Sequence, residues 1–178
     1  MSELIEPEHE SKRLQREVAV FSDIARAMTS SFNLDEVLQI IMDRVVEFFR
    51  PTTWSLLRLD DRRNELYVAK AVANDTVEAL RALRIKVGEG INGWVAEYGE
   101  PIIIPNVYNE PRFAARLDEM AKWKTKSIVC MPLQSRDRVL GVIQLINCPK
   151  ECFSEHELIF LHALCDYAAI AIDYRRNG

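Results

Sequence analysis

Residues 88–107 read G-E-G-I-N-G-W-V-A-E-Y-G-E-P-I-I-I-P-N-V and combine turn, helix and strand signals in one short span. The opening G-E-G favours a tight turn, because glycine adopts positive φ without strain. Residues 91–98 then predict a short helix that Gly99 ends at its C-cap, and the I-I-I run at 102–104 predicts a strand stopped by proline. The G-x-G-x-x-G spacing also fits dinucleotide-binding and protein-kinase loops. Neither the parallel β-α-β unit nor the H-R-D and D-F-G motifs of those folds accompanies it.

The flanking sequence alternates strand-like runs with short polar turns. Adjacent strands joined in this way form β-hairpins, which predicts an antiparallel sheet and an α+β fold. Asn33 and Ser154 each precede a glutamate by three residues, which is the spacing of a capping box at a helix start. The predicted strands are 52–59, 66–73, 85–87, 102–104, 127–133 and 139–147, and the predicted helices are 14–28, 33–49, 75–84, 91–98, 113–123 and 155–175.

Composition sets the broad class. The chain has 178 residues, 48% of them hydrophobic and 28% charged, which is typical of one globular domain. With 23 Lys and Arg against 27 Asp and Glu, its net charge is −4, which disfavours nucleic-acid binding. No apolar run is long enough to span a membrane, and the polar N-terminus lacks the signal-peptide pattern. We therefore expect a cytoplasmic protein with reduced cysteines, and no membrane or nucleic-acid partner.

Three blocks of sequence resemble the GAF domain family. The first is 88–107. The second, N-E-P-R-F at 109–113, resembles the family's D-P-R-F. The third joins S-I-V-C-M-P-L at 127–133 to L-G-V-I-Q-L-I-N at 140–147, and resembles S-x-L-x-V-P-L followed by I-G-V-L-x-L-x-N. Order and spacing match over about residues 33–172.

The resemblance implies an α+β, GAF/PAS-like fold with a central antiparallel sheet of five or six strands. The N- and C-terminal helices would be bundled on one face, and an irregular helical crossover would cover a pocket on the other. The expected segments are a flexible tail at 1–13, a signalling and dimerisation helix at 14–32, the GAF domain at 33–174 and a C-terminal tail at 175–178.

The resemblance also implies a sensory or regulatory function and not an enzyme. Such a domain binds a small molecule or a partner and transmits the signal through its terminal helices, here as a homodimer in a bacterial-type signal-transduction protein. A ligand-free dimerisation scaffold is the first alternative. A C-terminal output domain of the kinase, cyclic-di-GMP enzyme or transcription-activator kind is left open.

The resemblance places five candidate ligand contacts in the 91–98 helix, the crossover and the sheet beneath. Arg112 would pair with an anionic ligand, or anchor its own loop to backbone carbonyls. Trp94 and Phe113 would contact the ligand or fill the core. Asn106 stands where the family often has aspartate. The five residues are Trp94, Asn106, Arg112, Phe113 and Ser127.

Part of a cyclic-nucleotide signature is also present. Members that bind cyclic nucleotides often carry an N-K-F-D-E set, thought to hold a structural ion pair, and its order is followed here by Asn147, Lys150, Phe153 and Glu157. Leu158 replaces the final glutamate. Glu157 also fits a capping box with Ser154, and we prefer that interpretation because it follows from the spacing alone. A cyclic-nucleotide ligand is left open.

Cysteine and histidine positions indicate no cofactor. Residues 106–126 contain neither residue type, so a bilin or haem is not expected. Cys148, Cys152 and His156 offer three ligands where a structural zinc site needs four, and we expect no metal. A free-methionine-sulfoxide reductase, the remaining alternative, would need Cys130 and a distant second cysteine. We assign no catalytic residue.

Both terminal helices carry apolar residues at heptad-like steps. The resemblance implies that such helices dimerise, whereas the alternative is that they pack on their own sheet. The candidate dimer residues are Leu14, Val18, Phe21, Ala25 and Met28, then Leu158, Leu161, Cys165, Ala168 and Ile172.

Overall fold

The structure, a computed structural model, describes residues 7–30, 33–72, 81–109 and 125–177. Within these ranges the chain forms four helices, six strands and two short 3₁₀ turns. None of the helices in these ranges is long and apolar enough to cross a bilayer. The helices are α1 (Pro7–Ser30), α2 (Leu34–Phe49), α3 (Gly90–Tyr98) and α4 (Glu155–Asn177). The strands are β1 (Thr53–Asp60), β2 (Glu65–Val72), β3 (Arg84–Lys86), β4 (Ile102–Ile104), β5 (Ile128–Ser135) and β6 (Arg138–Ile146), and the 3₁₀ turns are Val107–Asn109 and Lys150–Phe153.

The six strands form one antiparallel sheet in the order β3-β2-β1-β6-β5-β4. In its centre, Leu56 of β1 lies opposite Ile143 of β6, and Leu57 lies opposite Val142. Successive side chains of a strand point to opposite faces, so the first pair joins one hydrophobic core and the second pair another. The predicted α+β fold with an antiparallel sheet of five or six strands is confirmed.

A helix layer of α1, α2 and α4 covers one face of the sheet. Phe160 of α4 lies at its centre, with ring centroids of Phe21 on α1 and Phe48 on α2 at 5.6 Å and 4.8 Å. Glu17 contacts His156, and one turn further along both helices Phe21 contacts Phe160. These two contacts show that α1 and α4 run parallel, so the N-terminal end of α1 and the C-terminal end of α4 lie at opposite ends of the helix layer.

The terminal helices are longer than expected. α1 begins at Pro7, so residues 7–13, expected to be a flexible tail, are helical. Proline is favoured in the first turn of a helix because its missing N–H would have no partner there, and Glu8 and Glu10 suit the positive helix end. α4 extends to Asn177 instead of ending near residue 174, with two arginines in its last turn. Of the predicted helices, 113–123 lies outside the described residues, and so does most of 75–84.

Two of the expected capping residues act as predicted. The Asn33 side chain accepts a hydrogen bond from the amide of Asp35 at 3.0 Å and starts α2. Ser154 Oγ accepts one from the amide of Glu157 at 3.3 Å and starts α4. α2 ends at Phe49, and its C-cap residue Arg50 takes a left-handed conformation with φ 45°. A helix seldom continues into a residue that precedes proline, and residue 51 is a proline.

Candidate ligand-binding face

The sheet face opposite the helix layer carries α3, and glycines bring α3 close to β3. The amide of Gly88 donates to the carbonyl of Gly93 at 2.8 Å. A Cβ at Gly93 would lie 2.4 Å from the carbonyl oxygen of Lys86, closer than atoms approach. Gly88 and Gly90 both have positive φ. The G-x-G-x-x-G glycines therefore build the turn that seats α3, and their presence requires no phosphate ligand.

The surface between α3 and the sheet is apolar. Helix α3 contributes Ile91 and Val95, and the sheet contributes a second hydrophobic core that includes Leu57, Ile128 and Val142. Trp94 is half-buried at the edge of this core, with its ring centroid 4.9 Å from that of exposed Tyr98. We call this surface, together with Asn92 and Cys130, the α3 face.

One polar pair interrupts the α3 face. Asn92 of α3 accepts a hydrogen bond on Oδ1 from the Cys130 thiol of β5 at 3.2 Å. Cys130 is fully buried, and burial raises the pKa of its thiol far above the ordinary value. The thiol therefore stays protonated and serves as a donor to Asn92, not as a nucleophile. The sequence prediction missed Asn92. Its polarity inside an apolar helix start was the one available signal.

The predicted ligand residue Ser127 sits at the entrance to β5 and has structural partners. Its side chain is buried, and its hydroxyl donates to the carbonyl of Cys148 at 3.3 Å. The Asn147 side chain accepts hydrogen bonds from the amides of Lys126 at 2.6 Å and Ser127 at 3.2 Å. Asn147, expected from the cyclic-nucleotide signature, thus joins the end of β6 to the start of β5.

The other candidate contacts divide between the turn after β4 and the undescribed crossover. Asn106 is exposed, and its side chain accepts a hydrogen bond from the amide of Tyr108 at 3.0 Å, which closes the 3₁₀ turn. Trp94 belongs to the α3 face. Arg112 and Phe113 lie outside the described residues. Within the described ranges, the structure therefore places Trp94, but not Asn106, against the apolar surface.

The remaining signature residues lie on the helix-layer side. Lys150 is exposed, and Phe153 packs against the helix-layer core. The Glu157 carboxylate bonds to Arg13 Nη2 at 2.6 Å, so only the Ser154 half of the expected capping box is present among the hydrogen bonds found. The predicted role of Glu157 in a capping box is therefore corrected. Arg13, which the sequence analysis placed in a flexible tail, lies in helix α1 and reaches the Glu157 carboxylate.

The Cys148, Cys152 and His156 side chains do not converge. The Cys152 thiol donates to the carbonyl of Phe49 at 3.4 Å, and His156 Nε2 lies 2.8 Å from a carboxylate oxygen of Glu17. Burial raises the pKa of the Cys148 thiol to about 12. Among the described residues, no group of three potential ligands could hold a metal ion.

The candidate dimer residues of α4 are mostly interior. Leu161, Cys165, Ala168 and Ile172 are fully buried against the molecule's own helices and sheet, and Leu158 is half-buried. The expectation that they form a dimer surface is corrected, because the same heptad steps that suit a coiled coil also suit packing on a sheet. On α1, Phe21 and Met28 pack on the core, whereas Leu14, Val18 and Ala25 are exposed.

Comparison with known families agrees with this architecture. The sequence pattern of the GAF domain matches residues 33–172, most of the chain. The chain belongs to the GAF domain family. GAF domains are small-molecule-binding regulatory domains, and the family assignment predicted from the sequence is confirmed.

Two curated relatives of this GAF domain are much longer proteins. The dual 3′,5′-cyclic-AMP and -GMP phosphodiesterase 11A of Takifugu rubripes is 39% identical over 93 residues, which cover 51% of this chain and 10% of that protein. The probable 3′,5′-cyclic phosphodiesterase pde-5 of Caenorhabditis elegans is 26% identical over 178 residues, which cover 94% of this chain and 24% of that protein.

Two solved structures share the fold. The GAF domain from Acinetobacter phosphoenolpyruvate-protein phosphotransferase superposes with a TM-score of 0.72 at 21% identity, covering 91% of this chain and 96% of that one. The free methionine-R-sulfoxide reductase from Neisseria meningitidis, solved with its substrate, superposes with a TM-score of 0.67 at 19% identity, covering 90% of each chain. At such identities the likeness shows the fold alone.

Proposed function

We propose that this GAF domain is a non-catalytic sensory module that binds a small organic molecule on its α3 face and passes the change to α1 and α4. The α3 face and the helix layer share one sheet, so that binding on one side is felt on the other. α1 leads into the domain at one end of the helix layer, and α4 leads out of it at the opposite end. They are the elements that connect it to whatever precedes or follows in a longer protein.

The observation that best supports this proposal is the packing of strand β5 against both hydrophobic cores. Its side chains alternate, so Cys130 faces α3 while its neighbours Val129 and Met131 belong to the helix-layer core. Protein interiors are close-packed and transmit small displacements. A ligand that contacts Asn92, and through it the buried Cys130, therefore displaces the strand on which α4 packs. A ligand shifts the helices only if it binds their two arrangements with different affinity.

The chemistry of the α3 face suits a flat, mainly apolar ligand with a hydrogen-bonding edge. Half-buried Trp94 supplies apolar contact area, and half-buried Asn92 supplies an amide that both donates and accepts. Cyclic AMP and cyclic GMP are the first ligands to test, because the Takifugu rubripes relative named above is a dual phosphodiesterase of these two nucleotides. Their bases present such an edge.

A cysteine-dependent reductase is disfavoured. All four cysteines lie in the described residues, and only Cys130 belongs to the α3 face, while Cys148, Cys152 and Cys165 lie in the helix-layer core. Burial raises the pKa of each of these four thiols. Buried, protonated thiols suit a reducing compartment, and we place the protein in the cytoplasm.

Calorimetric titration with cyclic AMP and cyclic GMP tests the proposal, together with native mass spectrometry of the freshly purified chain. We expect saturable one-to-one binding of one nucleotide, or a reproducible excess mass that identifies another small molecule. Asn92→Ala should weaken binding about two- to tenfold, the effect of one neutral hydrogen bond. Asn109→Ala, an exposed asparagine outside the α3 face, is the matched control. A dimer with no excess mass and no saturable binding would favour the ligand-free scaffold instead.

We further propose that the domain acts as a homodimer through the outer faces of α1 and α4. Among the described residues these helices expose Val18 (63%), Ile159 (64%) and Ile170 (50%), together with Leu14 and Tyr174. A two-fold axis would bring the same patch of each copy together. An output domain attached to α4 would then sense the angle between the paired helices.

A further inference from the structure

A second pocket lies on the helix-layer side of the sheet, away from the α3 face. Its volume is about 280 Å³. Its walls come from the β1–β2 hairpin and from the last turn of α4, and include Arg58, Arg62, Tyr67 and Arg176. Drug-sized ligands occupy roughly 300–1,000 Å³, so this pocket suits a small group.

Arg58 projects into the pocket wall from the centre of the sheet. Leu56 and Arg58 alternate with Leu57 along β1, so Arg58 faces the helix-layer side. Its guanidinium carbon lies 6.0 Å from the centroid of Tyr67, and that of Arg84 lies 5.8 Å from the same ring. No ion pair joins either arginine to a carboxylate of the described residues. Two cations thus share one aromatic ring, and neither is ion-paired with an acid of the described residues.

The two acids of the pocket are already engaged. Asp60 Oδ1 accepts hydrogen bonds from the backbone amide of Arg62 at 3.0 Å and from the next amide at 3.3 Å. Asp61 Oδ2 accepts from Arg138 at 3.1 Å and also from Arg176. The pocket lining contains three arginines (58, 62 and 176) and these two aspartates, a local charge of +1 in a chain whose net charge is −4.

We infer that this pocket binds the phosphoryl group of a small phosphorylated metabolite. Guanidinium groups hold phosphate through paired, charge-assisted hydrogen bonds. The pocket offers Arg58, which has no acidic partner among the described residues, and Arg176, which shares its aspartate with a second arginine. The small cavity admits a phosphoryl group with a short organic substituent. This site is independent of the ligand proposed for the α3 face.

Binding there ties the exit of α4 to the sheet. Arg58 belongs to β1, whereas Arg176 belongs to the last turn of α4. A phosphate held by both would bridge the two elements in addition to the Asp61 contact. The phosphorylated metabolite is therefore a second effector, which fixes the end of the helix that the α3-face ligand would move.

Titration of the whole chain with inorganic phosphate and with phosphoethanolamine tests the inference. Calorimetry and ¹H–¹⁵N spectra should be recorded at constant ionic strength, with chloride as the compensating anion. We expect saturable binding, with shifts at the hairpin and the last turn of α4. Arg58→Gln should weaken it at least tenfold, and Arg176→Gln serves as a second variant if the first unfolds. Arg63→Gln, in the same hairpin turn but outside the pocket wall, should change it less than twofold.

Three results would overturn the inference. One is the absence of saturable binding in the wild-type chain. Another is equal weakening by Arg63→Gln and Arg58→Gln, which would mean unspecific attraction to positive charge. The third is a phosphoserine peptide binding at least tenfold more tightly than phosphoethanolamine, which would assign the pocket to a phosphorylated protein instead of a metabolite.

Discussion

Asn147 shows how one residue can hold two strands in register. Its backbone has φ 58°, a region that asparagine tolerates and alanine avoids. Its side chain also accepts two amide hydrogen bonds at the start of β5. We expect Asn147→Ala to lower the free energy of unfolding by about 2–4 kcal/mol, the sum of left-handed strain and lost hydrogen bonds. Chemical denaturation monitored by circular dichroism measures this change.

Two control variants separate the backbone from the side chain. Asn147→Gly also loses the two side-chain hydrogen bonds, but glycine adopts positive φ without strain. Its effect on the free energy of unfolding should therefore be about half that of Asn147→Ala. Asn64→Ala, at a hairpin turn with φ 55°, carries the strain without a comparable network. Wild-type stability in Asn147→Gly would show that the side-chain hydrogen bonds contribute nothing.

For single residues, the sequence predicted the local backbone conformation better than it predicted the hydrogen-bond partner. Gly88 and Gly99 could be assigned to turns because glycine's preference for positive φ is local. Asn147 and Ser127 could not be paired, because they are twenty residues apart and meet only when β5 and β6 align. The Asn92–Cys130 contact was hidden for the same reason, since it joins α3 to a later strand.

Helix α1 is held to α4 by a polar contact at one level and by aromatic rings further along. Glu17 is buried, and its Oε1 lies 2.8 Å from His156 Nε2 and 3.3 Å from Arg13 Nε. We expect His156→Ala to free the N-terminal half of α1 locally, with a loss of about 1 kcal/mol and roughly fivefold faster amide exchange there. Hydrogen exchange measured by mass spectrometry would show this, while the amides of β5 keep wild-type rates.

His162→Ala is the matched control for this prediction. His162 also lies on α4, but it is more than half exposed and sits 3.6 Å from Asp166 of the same helix. Its removal should leave exchange in α1 unchanged. Faster exchange throughout the domain in His156→Ala would mean that the histidine stabilises the whole fold and not the α1 attachment.

The spacing of apolar residues correctly predicted helix α4, but it did not predict which surface that helix packs against. The steps from Leu161 to Ile172 correctly mark one apolar face, yet that face lies on the sheet and on α2. An amphipathic pattern records which residues avoid water, and a sheet satisfies it as well as a second copy would. The exposed Ile159 and Ile170 lie on a different face of the helix.

At the scale of the whole molecule, one sheet separates two chemically different surfaces. The α3 face is apolar with a single polar pair, whereas the helix layer ends in a positively charged pocket beside the last turn of α4. Both surfaces lie next to elements that contact α4, the first through β5 and the second through Arg176. The two proposed ligands would therefore be coupled, and linkage requires the coupling to be reciprocal.

Under the proposed pairing, the outer faces of α1 and α4 would carry the signal to a second copy. Val18→Asp places a charge on the exposed side of α1, and two-fold symmetry would place the same charge twice in the interface. We expect sedimentation velocity to show a wild-type dimer and a dissociation constant raised about 100-fold in the variant, with the helical circular dichroism retained. Val46→Asp, at an exposed valine of α2, should leave the dimer intact. A monomeric wild type, or a Val18→Asp dimer as tight as wild type, would refute pairing through this face, and the signal would then have to leave along a single α4.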